Sequence, residues 1–359
     1  MRKLSLTPEV IELVRNNAVV AFGISGGKDS GTMVHEVSQW LDEVGHPMES
    51  RICFHADLGI IDWPQTPEWV RLQNAHAGTQ LKIVRRTKGD MVDRWEQRWE
   101  DNVKRFEEMS CVKLITPWSN SQWRFCTGEL KVAPIVAALK KMFPGRDILN
   151  LVGIRKQEST GRAKKPVLSE MSTLKVKTKG TRGWQWNPIL DYTVDDVFEV
   201  HKEAGLPLHP AYTEYGSDRL SCAYCVLATN SDHLAALACQ GNHASYKRLI
   251  DLEIRSSFSF KPNDWLCERQ PSFLGPFSHE IIAEVKHKSS MRREASDAIP
   301  VEMQYTKGWP TQVPTMEQAG QLARMRAMLH TVLKLNCQYL LPRDIIGRYE
   351  ELMEMKESK

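Results

Sequence analysis

Short apolar runs alternate with stretches of helical spacing through much of the chain. The first run, Val19–Phe22, ends at Gly23, and apolar side chains return at helical spacing between Thr32 and Val44. Strands that alternate with helices in this way form parallel sheets covered by helices on both faces. The pattern therefore predicts an α/β fold with a doubly wound, mainly parallel sheet. The predicted strands are 19–22, 49–59, 81–86 and 147–154.

Helical spacing dominates the remainder of the chain. From about residue 258 the sequence is helical and rich in loops, so we expect a helical C-terminal appendage to the α/β domain. A capping pattern from Thr193 to Asp196 marks the start of one of the earlier helices. The predicted helices are 1–17, 32–44, 90–108, 131–142, 193–203, 316–335 and 342–356, with one more entered after the turn at 63–67.

The connection between the first strand and its helix consists of small and polar residues. A strand, a glycine-rich turn and a helix together make an anion site, because the first helical turn has N–H groups without intrahelical partners. A Walker A loop does not match, since Lys28 is followed by Asp29 and Phe22 stands where that motif requires glycine. Gly23–Gly27 matches the G-x-S-x-G elbow of hydrolases, although an elbow normally follows several earlier strands. The remaining candidate is a phosphate loop formed by Ser25, Gly26, Gly27, Lys28, Asp29 and Ser30.

Composition narrows the class of protein. The chain has 359 residues, of which 42% are hydrophobic, enough for the core of one large domain and a smaller one. It has no apolar run of about 18 residues. Residues 1–17 read as an amphipathic helix rather than a signal peptide, so we expect a cytoplasmic protein without a membrane partner. A net charge of +4 is too small to indicate a nucleic-acid partner by itself.

Polar side chains follow two other predicted strands. His55 and Asp57 end the second strand, and Arg155 directly follows the fourth, with Arg162 a few positions further on. Ligands of a doubly wound sheet bind beyond the carboxyl ends of its strands, so we expect these side chains near the phosphate loop. Guanidinium groups suit the recognition of phosphate or sulfate. The basic stretch 164–182 predicts a mobile hairpin or flap that would contact tRNA or DNA if the substrate were a nucleic acid, or would serve solubility alone.

Eight cysteines are too sparse for a disulfide scaffold, which leaves cytosolic thiols, a metal site or redox groups. Cys126 stands just before a predicted helix, a position that favours the thiolate. Cys222 and Cys225 form a C-x-x-C motif, which is compatible with a redox dithiol, half a zinc site or part of an iron–sulfur site. These three thiols would hold a cluster with one position filled from elsewhere. The candidates for that position are Cys111, Cys239, Cys267 and a non-protein group.

Several motifs together resemble the phosphoadenosine phosphosulfate reductase-like branch of the PP-loop ATP pyrophosphatases. The motifs are SGGKDS at 25–30, HADLG at 55–59, RFCTGELK at 124–131, GIRKQEST with Arg162 at 153–162, and HPAY with RLSCAYC at 209–225. The resemblance implies an adenine nucleotide α-hydrolase-like, Rossmann-like domain over residues 1–255, followed by the helical region 256–359. It assigns the nucleotide loop to Ser25–Ser30, a strand end of the site to Asp57, and anion binding to Arg155 and Arg162. We add His55 to the nucleotide site because it ends the same strand.

Two features separate the chain from the true reductases of that family. Those enzymes use a cysteine in a Glu-Cys-Gly-Leu-His tail, whereas this sequence ends RYEELMEMKESK. Their phosphate loop is usually degenerate, whereas SGGKDS is intact and favours ATP binding and cleavage. In both respects the chain is similar to the ATP sulfurylase small subunit and to the sulfur-inserting enzyme of DNA phosphorothioation, which carries an iron–sulfur cluster.

The resemblance implies a transferase that adenylates an oxyanion. ATP would bind with Mg²⁺ held by Asp29 or Asp57, Lys28 would stabilise the leaving pyrophosphate, and Arg155 with Arg162 would hold the substrate. A sulfur nucleophile would then displace AMP, supported by a [4Fe–4S] cluster on the three thiols. Two alternatives stay open: a sulfonucleotide reductase with a cysteine nucleophile, and a non-catalytic nucleotide-binding component of a complex. A protein partner for sulfur transfer and a homo-oligomer are compatible with these functions.

Overall fold

The structure of the protein is a computed structural model that describes residues 4–358. Its strands are β1 (Val19–Gly23), β2 (Arg51–Asp57), β3 (Gln80–Arg85), β4 (Asp147–Val152), β5 (Leu168–Glu170) and β6 (Arg182–Trp186). They form one sheet in the order β3-β2-β1-β4-β6-β5, in which β5 is antiparallel to β6 and the other neighbours are parallel. The predicted α/β fold with a mainly parallel sheet is confirmed.

Helices connect the strands and continue beyond the sheet. The α-helices are α1 (Pro8–Arg15), α2 (Lys28–Glu43), α3 (Thr66–Ala77), α4 (Met91–Glu107), α5 (Phe125–Thr127), α6 (Ala133–Met142), α7 (Thr160–Ala163), α8 (Val194–Glu203), α9 (Pro210–Thr213), α10 (Asn230–Ala238), α11 (His243–Ser256), α12 (Ser278–Asp297), α13 (Met316–Val332) and α14 (Pro342–Glu357). The described chain beyond α11 forms α12, α13 and α14 joined by loops, which confirms the helical C-terminal region. None of the helices within residues 4–358 has the length and apolar character needed to cross a membrane.

The central strand β1 is apolar on both faces because both faces are covered. Val20 and Phe22 pack in one buried cluster, while Val19 and Ala21 pack in a second. Successive side chains of a strand point to opposite faces, so these two clusters lie on opposite sides of the sheet. This burial on both sides explains why the run Val19–Phe22 shows no polar alternation.

The segment predicted as a mobile hairpin or flap is partly incorporated into the sheet, where β5 and β6 pair antiparallel. Its mobility stays a prediction. Arg182–Trp186 is β6, parallel to β4, and Leu168–Glu170 pairs with it on the outer edge. Between them, Leu174 and Thr181 are buried. A Cβ atom on Gly183 would lie 2.4 Å from the Leu174 side chain, so glycine permits this close packing. The strand β5 has only the three residues LSE, and β6 has the mixed sequence RGWQW, so neither shows a continuous apolar run and the pattern missed both.

Three helix boundaries also differ from those predicted. The helix after the phosphate loop begins at Lys28 rather than Thr32, because Gly27 already has the extended backbone of an N-cap. Helical structure before Met142 begins at Phe125 rather than Lys131 and includes a π-helical turn, Gly128–Val132. The first helix covers only Pro8–Arg15, capped by Thr7, and residues 1–3 of its predicted range lie outside the described residues.

Backbone contacts divide the chain into two compact units. The first contains the residues up to Met91 together with Ser119–Ala244, and therefore the whole sheet. The second contains Val92–Trp118 and the residues from Ser245 onward. The predicted division into 1–255 and 256–359 stays a prediction about domains.

The second unit has an aromatic core of its own. Trp95 of α4 packs edge-on against Trp118, with ring centroids 5.5 Å apart, and Trp118 packs against Phe260 at 4.9 Å. Trp95 and Trp99 are both buried, so the tryptophans of this charged helix pack in a core. Edge-on aromatic pairs of this kind add to the free energy gained by burial.

Candidate nucleotide site

The register of the sheet places the phosphate loop beside the segment that carries Arg155. β1 has β2 on one side and β4 on the other, and its last residue, Gly23, is in register with Val152 at the end of β4. Chain connections leave a doubly wound sheet in opposite directions at such a point, which opens a crevice beyond the strand ends. The chain after Gly23 and the chain after Val152 therefore meet at one edge of the sheet.

The phosphate loop crosses from β1 to α2 in a conformation that requires glycine. Gly26 has φ of +78°, and a Cβ atom there would lie 3.1 Å from Cβ of Trp69. Gly27 is the N-cap of α2 and has no side chain to occupy the helix terminus. Ser30, in the first turn, accepts a hydrogen bond from the Ser25 N–H at 3.3 Å. The loop thus offers backbone N–H groups at a helix N-terminus, the geometry that binds phosphate.

Lys28 is a buried cation within this loop. Its side chain is 5% exposed, with Nζ 3.5 Å from Oδ2 of Asp29. The ammonium also lies 4.9 Å from the centre of the Tyr212 ring and 5.9 Å from that of Phe198. Burial lowers the pKa of Lys28, the Asp29 carboxylate opposes that effect, and Arg155 adds to it. A lysine held in this way is positioned for an anion that completes its charge pairing.

Asp29 and Arg155 form the ion pair that joins the loop to the end of β4. Nε of Arg155 donates to Oδ1 of Asp29 at 2.5 Å, and Nη1 donates to Oε1 of Gln157 at 3.1 Å. The Arg155 side chain is 6% exposed and that of Asp29 is 20% exposed. The predicted proximity of Arg155 to the phosphate loop is therefore present in the structure.

His55 and Asp57, at the end of β2, both contact backbone or side chains of the fold. Nδ1 of His55 lies 3.1 Å from the carbonyl oxygen of Ile24, at the start of the loop. Oδ1 of Asp57 accepts from the Gly59 N–H at 2.8 Å, and Oδ2 forms an ion pair with Arg85. The Asp57 carboxylate thus shapes the chain after β2, and a metal there would compete with the Arg85 guanidinium.

Arg162 shares its electrostatic environment with three other arginines. Burial lowers the pKa of Arg162, and Arg219, Arg124 and Arg155 lower it further while Asp29 opposes them. Glu158 forms an ion pair with Arg162 one helical turn away. Sequence reasoning did not select Arg124 and Arg219. The available signal was their position directly beside the cysteine motifs, in RFC and RLSC.

The segment that carries the C-x-x-C motif lies against the phosphate loop. The Leu220 N–H donates to the Tyr212 hydroxyl at 3.0 Å, and a Cβ atom on Gly27 would lie 3.3 Å from Cβ of Leu220. Further along, the Ala223 N–H donates to the carbonyl oxygen of Ile61 at 2.8 Å. The segment therefore runs from the loop to the chain that follows β2.

The three candidate thiols share one electrostatic environment. Burial raises the pKa of Cys222, with Lys131 opposing that rise and Asp62, Cys225 and Cys126 adding to it. Cys126 was predicted to stand before a helix, but it lies within the helical turn Phe125–Thr127. Across residues 4–358, no group of three or more His, Cys, Asp or Glu side chains is arranged to hold a metal ion. The thiols as placed do not form a ready cluster site, and the cluster stays a prediction.

The fold and the loop together define an α/β protein with a phosphate-type loop between its first strand and the following helix. Residues 19–228, more than half of the chain, match the phosphoadenosine phosphosulfate reductase domain family, and the chain belongs to that family. The predicted family membership is thus confirmed.

The individual proteins that the chain resembles share between 12% and 26% sequence identity with it. The chain is 26% identical over 241 residues to an uncharacterized 37.8 kDa protein in the gpa 5′ region of Escherichia phage 186, covering 58% of this chain and 67% of that protein. A phosphoadenylyl-sulfate reductase from Candida auris is 16% identical, with a TM-score of 0.37 over 62% of this chain and 98% of its own. The FMN adenylyltransferase of Candida glabrata, solved with FMN and an ATP analogue, is 12% identical, with a TM-score of 0.36 over 60% of this chain and 59% of its own.

Proposed function

We propose that the protein binds ATP at the Ser25–Ser30 loop and cleaves it between the α- and β-phosphates to adenylate an oxyanion substrate. The observation that carries this proposal is the intact SGGKDS loop, in which Lys28 is buried at the N-terminus of α2. The positive charges of Arg155 and Arg219 act on the same lysine. Backbone N–H groups and a buried ammonium stabilise negative charge that develops on a leaving pyrophosphate. The chemistry fits an adenylyl or sulfur transferase of sulfur metabolism.

The arginines would bind the oxyanion that accepts the adenylyl group. Arg155 and Arg162 would hold the oxyanion, joined by Arg124 and Arg219, which lie in the same electrostatic environment. An oxygen of the bound oxyanion attacks the α-phosphorus, the bond from that phosphorus to the β-phosphate oxygen breaks, and pyrophosphate leaves. Positioning two anions against their mutual repulsion is the main contribution of such a cationic site.

Mg²⁺ would neutralise charge on the triphosphate when bound. Asp29 fits this role better than Asp57 because it belongs to the loop. Both carboxylates already pair with cations, Asp29 with Arg155 and Lys28 and Asp57 with Arg85, so Mg²⁺ would compete with a cation at either position. Mg²⁺ commonly uses one or two carboxylates together with substrate phosphates, so a single loop aspartate suffices.

The test is pyrophosphate release from ATP in the presence of a panel of oxyanions, including sulfate and a nucleic-acid phosphodiester. We expect release that depends on one class of acceptor and falls at least about 100-fold in Lys28→Ala. Anaerobic purification with iron and sulfide analysis, repeated on Cys222→Ala, tests the cluster separately. ATP that binds without pyrophosphate release under any acceptor would contradict the proposal and favour a nucleotide-binding component.

A sulfonucleotide reductase is the second candidate, and the placement of the thiol segment against the phosphate loop favours it. Leu220 lies beside Gly27, and Cys222 follows two positions later. In this function a cysteine thiolate attacks the sulfur of a bound sulfonucleotide, the S–O bond to the nucleotide phosphate breaks and the nucleotide leaves. A second thiol then attacks the cysteine sulfur of the thiosulfonate, so that sulfite leaves and a disulfide forms. Reduction that is lost in Cys222→Ser or Cys225→Ser, with no ATP cleavage by the unmodified protein, would select this candidate.

A further inference from the structure

The side-chain amide of Gln73, on α3, binds two backbone groups of the phosphate loop, one on Gly26 and one on Gly27. Nε2 of Gln73 donates to the carbonyl oxygen of Gly27 at 2.9 Å, and Oε1 accepts from the Gly26 N–H at 3.1 Å. The hydroxyl of Ser30 lies 2.9 Å from the same Oε1 and 2.9 Å from the Gly27 carbonyl oxygen, so its single proton has two acceptors. One amide thus contacts three residues of the loop.

Within the loop, the Ser30 hydroxyl bonds the Ser25 N–H and the Gly27 carbonyl oxygen, but the two glycines need a further restraint. Gly26 has φ of +78°, and Gly27 has no side chain. An unrestrained glycine samples more backbone conformations than any other residue. α3 supplies the restraint at two adjacent points. Trp69 packs beside Gly26, and Gln73, one helical turn later, binds its N–H.

A second side chain holds the other end of the loop from α8. Nε2 of His201 lies 2.9 Å from the carbonyl oxygen of Lys28, and its ring would lie 3.1 Å from a Cβ atom on Gly31. Gln73 and His201 both line a small apolar cavity of about 30 Å³ behind the loop. This space is about the size of one water molecule. Truncating Gln73 would enlarge it, and water could then replace the lost hydrogen bonds.

We propose that Gln73 is a positioning residue that holds the phosphate loop in its binding conformation before the nucleotide arrives. The inference rests on the proposed function for the identity of the ligand. The amide acts on the loop backbone and does not touch the reacting atoms. Its donor and its acceptor are both used, so neither a carboxylate nor an apolar chain of the same length can replace it.

Two variants of similar volume separate positioning from a general structural role. Gln73→Met keeps the side-chain volume but removes both hydrogen bonds, and Gln73→Glu keeps the acceptor for Gly26 and Ser30 while losing the donor to Gly27. The carboxylate also places a negative charge beside a phosphate site. We therefore expect Gln73→Glu to be the more stable variant and the weaker ATP binder. Gln39→Met, on the exposed face of α2, is the matched control.

The experiment measures the Kd for ATP by calorimetry, the rate of pyrophosphate release and the Tm of each protein. We expect Kd to rise about tenfold in Gln73→Met, equivalent to about 1.4 kcal/mol. We expect a larger rise in Gln73→Glu with a Tm closer to that of the unmodified protein. Affinities that follow Tm across the variants, or that do not change, would overturn the inference.

The two proposals fail in different ways. If the unmodified protein releases pyrophosphate but the Gln73 variants bind ATP normally, the positioning role is wrong and the proposed function stands. If no acceptor yields pyrophosphate but ATP affinity still falls in the expected order, the proposed function is wrong and the positioning role stands. A protein that does not bind ATP at all would overturn both.

Discussion

The Tyr212 hydroxyl accepts a hydrogen bond from the backbone N–H of Lys28 at 3.4 Å, and the Lys28 ammonium lies 4.9 Å from the centre of the Tyr212 ring. The same hydroxyl accepts from the Leu220 N–H at 3.0 Å. Tyr212 therefore joins the phosphate loop to the segment that carries Cys222 and Cys225. One hydroxyl group thus links the candidate nucleotide loop to the segment of the candidate thiols.

Removing the Tyr212 hydroxyl should loosen both segments. Tyr212→Phe leaves the N–H groups of Lys28 and Leu220 without their acceptor, which should lower the free energy of unfolding by about 0.5–1.5 kcal/mol in a urea titration. Alkylation of Cys222 should become faster, because its segment loses an anchor. Tyr305→Phe is the control, since Tyr305 is 61% exposed. Unchanged alkylation of Cys222 would mean that Tyr212 does not couple the two segments.

The pH dependence of pyrophosphate release should report the protonation of Lys28. Burial lowers its pKa below the ordinary value of 10.5. Since the charged amine stabilises the leaving group, the rate should fall as pH rises through this lowered pKa, before free lysine deprotonates. Lys28→Arg keeps its charge in this range, so the alkaline decline should disappear from its residual activity. The same decline in both proteins would assign it to another group.

The stability of the first unit should respond to the same proton. Between the lowered pKa of Lys28 and 10.5, the unfolded state binds more protons than the folded state. The free energy of unfolding should therefore gain a term that rises with pH across this window. Lys28→Met removes the titrating group and should flatten that part of the profile. A profile that is identical in Lys28→Met would contradict the assignment.

The backbone contact between β4 and α2 leaves no room for a side chain at residue 153. A Cβ atom on Gly153 would lie 2.8 Å from the carbonyl oxygen of Asp29, a backbone atom that cannot move alone. Gly153→Ala should cost about 1–3 kcal/mol of stability and weaken ATP binding, because it displaces the start of α2. Gly161→Ala has nothing within 4 Å of the new atom and should be tolerated. Equal behaviour of the two variants in unfolding and ATP titrations would contradict this account.

Arg326 should be the main polar determinant of stability in the second unit. Its side chain is buried and donates to backbone carbonyl oxygens at Phe106, Glu107, Gln338 and Tyr339. Arg326→Met would leave buried acceptors unpaired, each at about 1–3 kcal/mol, and should lower the Tm strongly. Arg343→Met, at an exposed position of α14, is the control. A small effect at Arg326 would show that water replaces the guanidinium.

A large part of the fold and of the candidate site could be predicted from patterns of residues that are close together in the sequence. The run Val19–Phe22 and the loop Ser25–Ser30 are contiguous, so their strand, turn and helix could be predicted without knowledge of partners. The strands β5 and β6 could not, because they are short, show no continuous apolar run, and depend on pairing of β6 with β4 and of β5 with β6. Arg155 was selected because it follows a strand directly, and the register of β1 with β4 places it beside Asp29.

By itself the sequence determined the family, the position of the phosphate loop, the parallel sheet and the helical C-terminal region, because each depends on residues close together in the chain. Only the tertiary structure decided what holds the loop. Gln73 is 47 positions from Gly26, and Tyr212 is 184 positions from Lys28. Gln73 lies outside the motifs, and Tyr212 ends the HPAY motif, which by itself does not indicate a contact with the loop. Hydrogen bonds across such separations arise from the packing of α3 and α9 against the loop, which local periodicity does not encode.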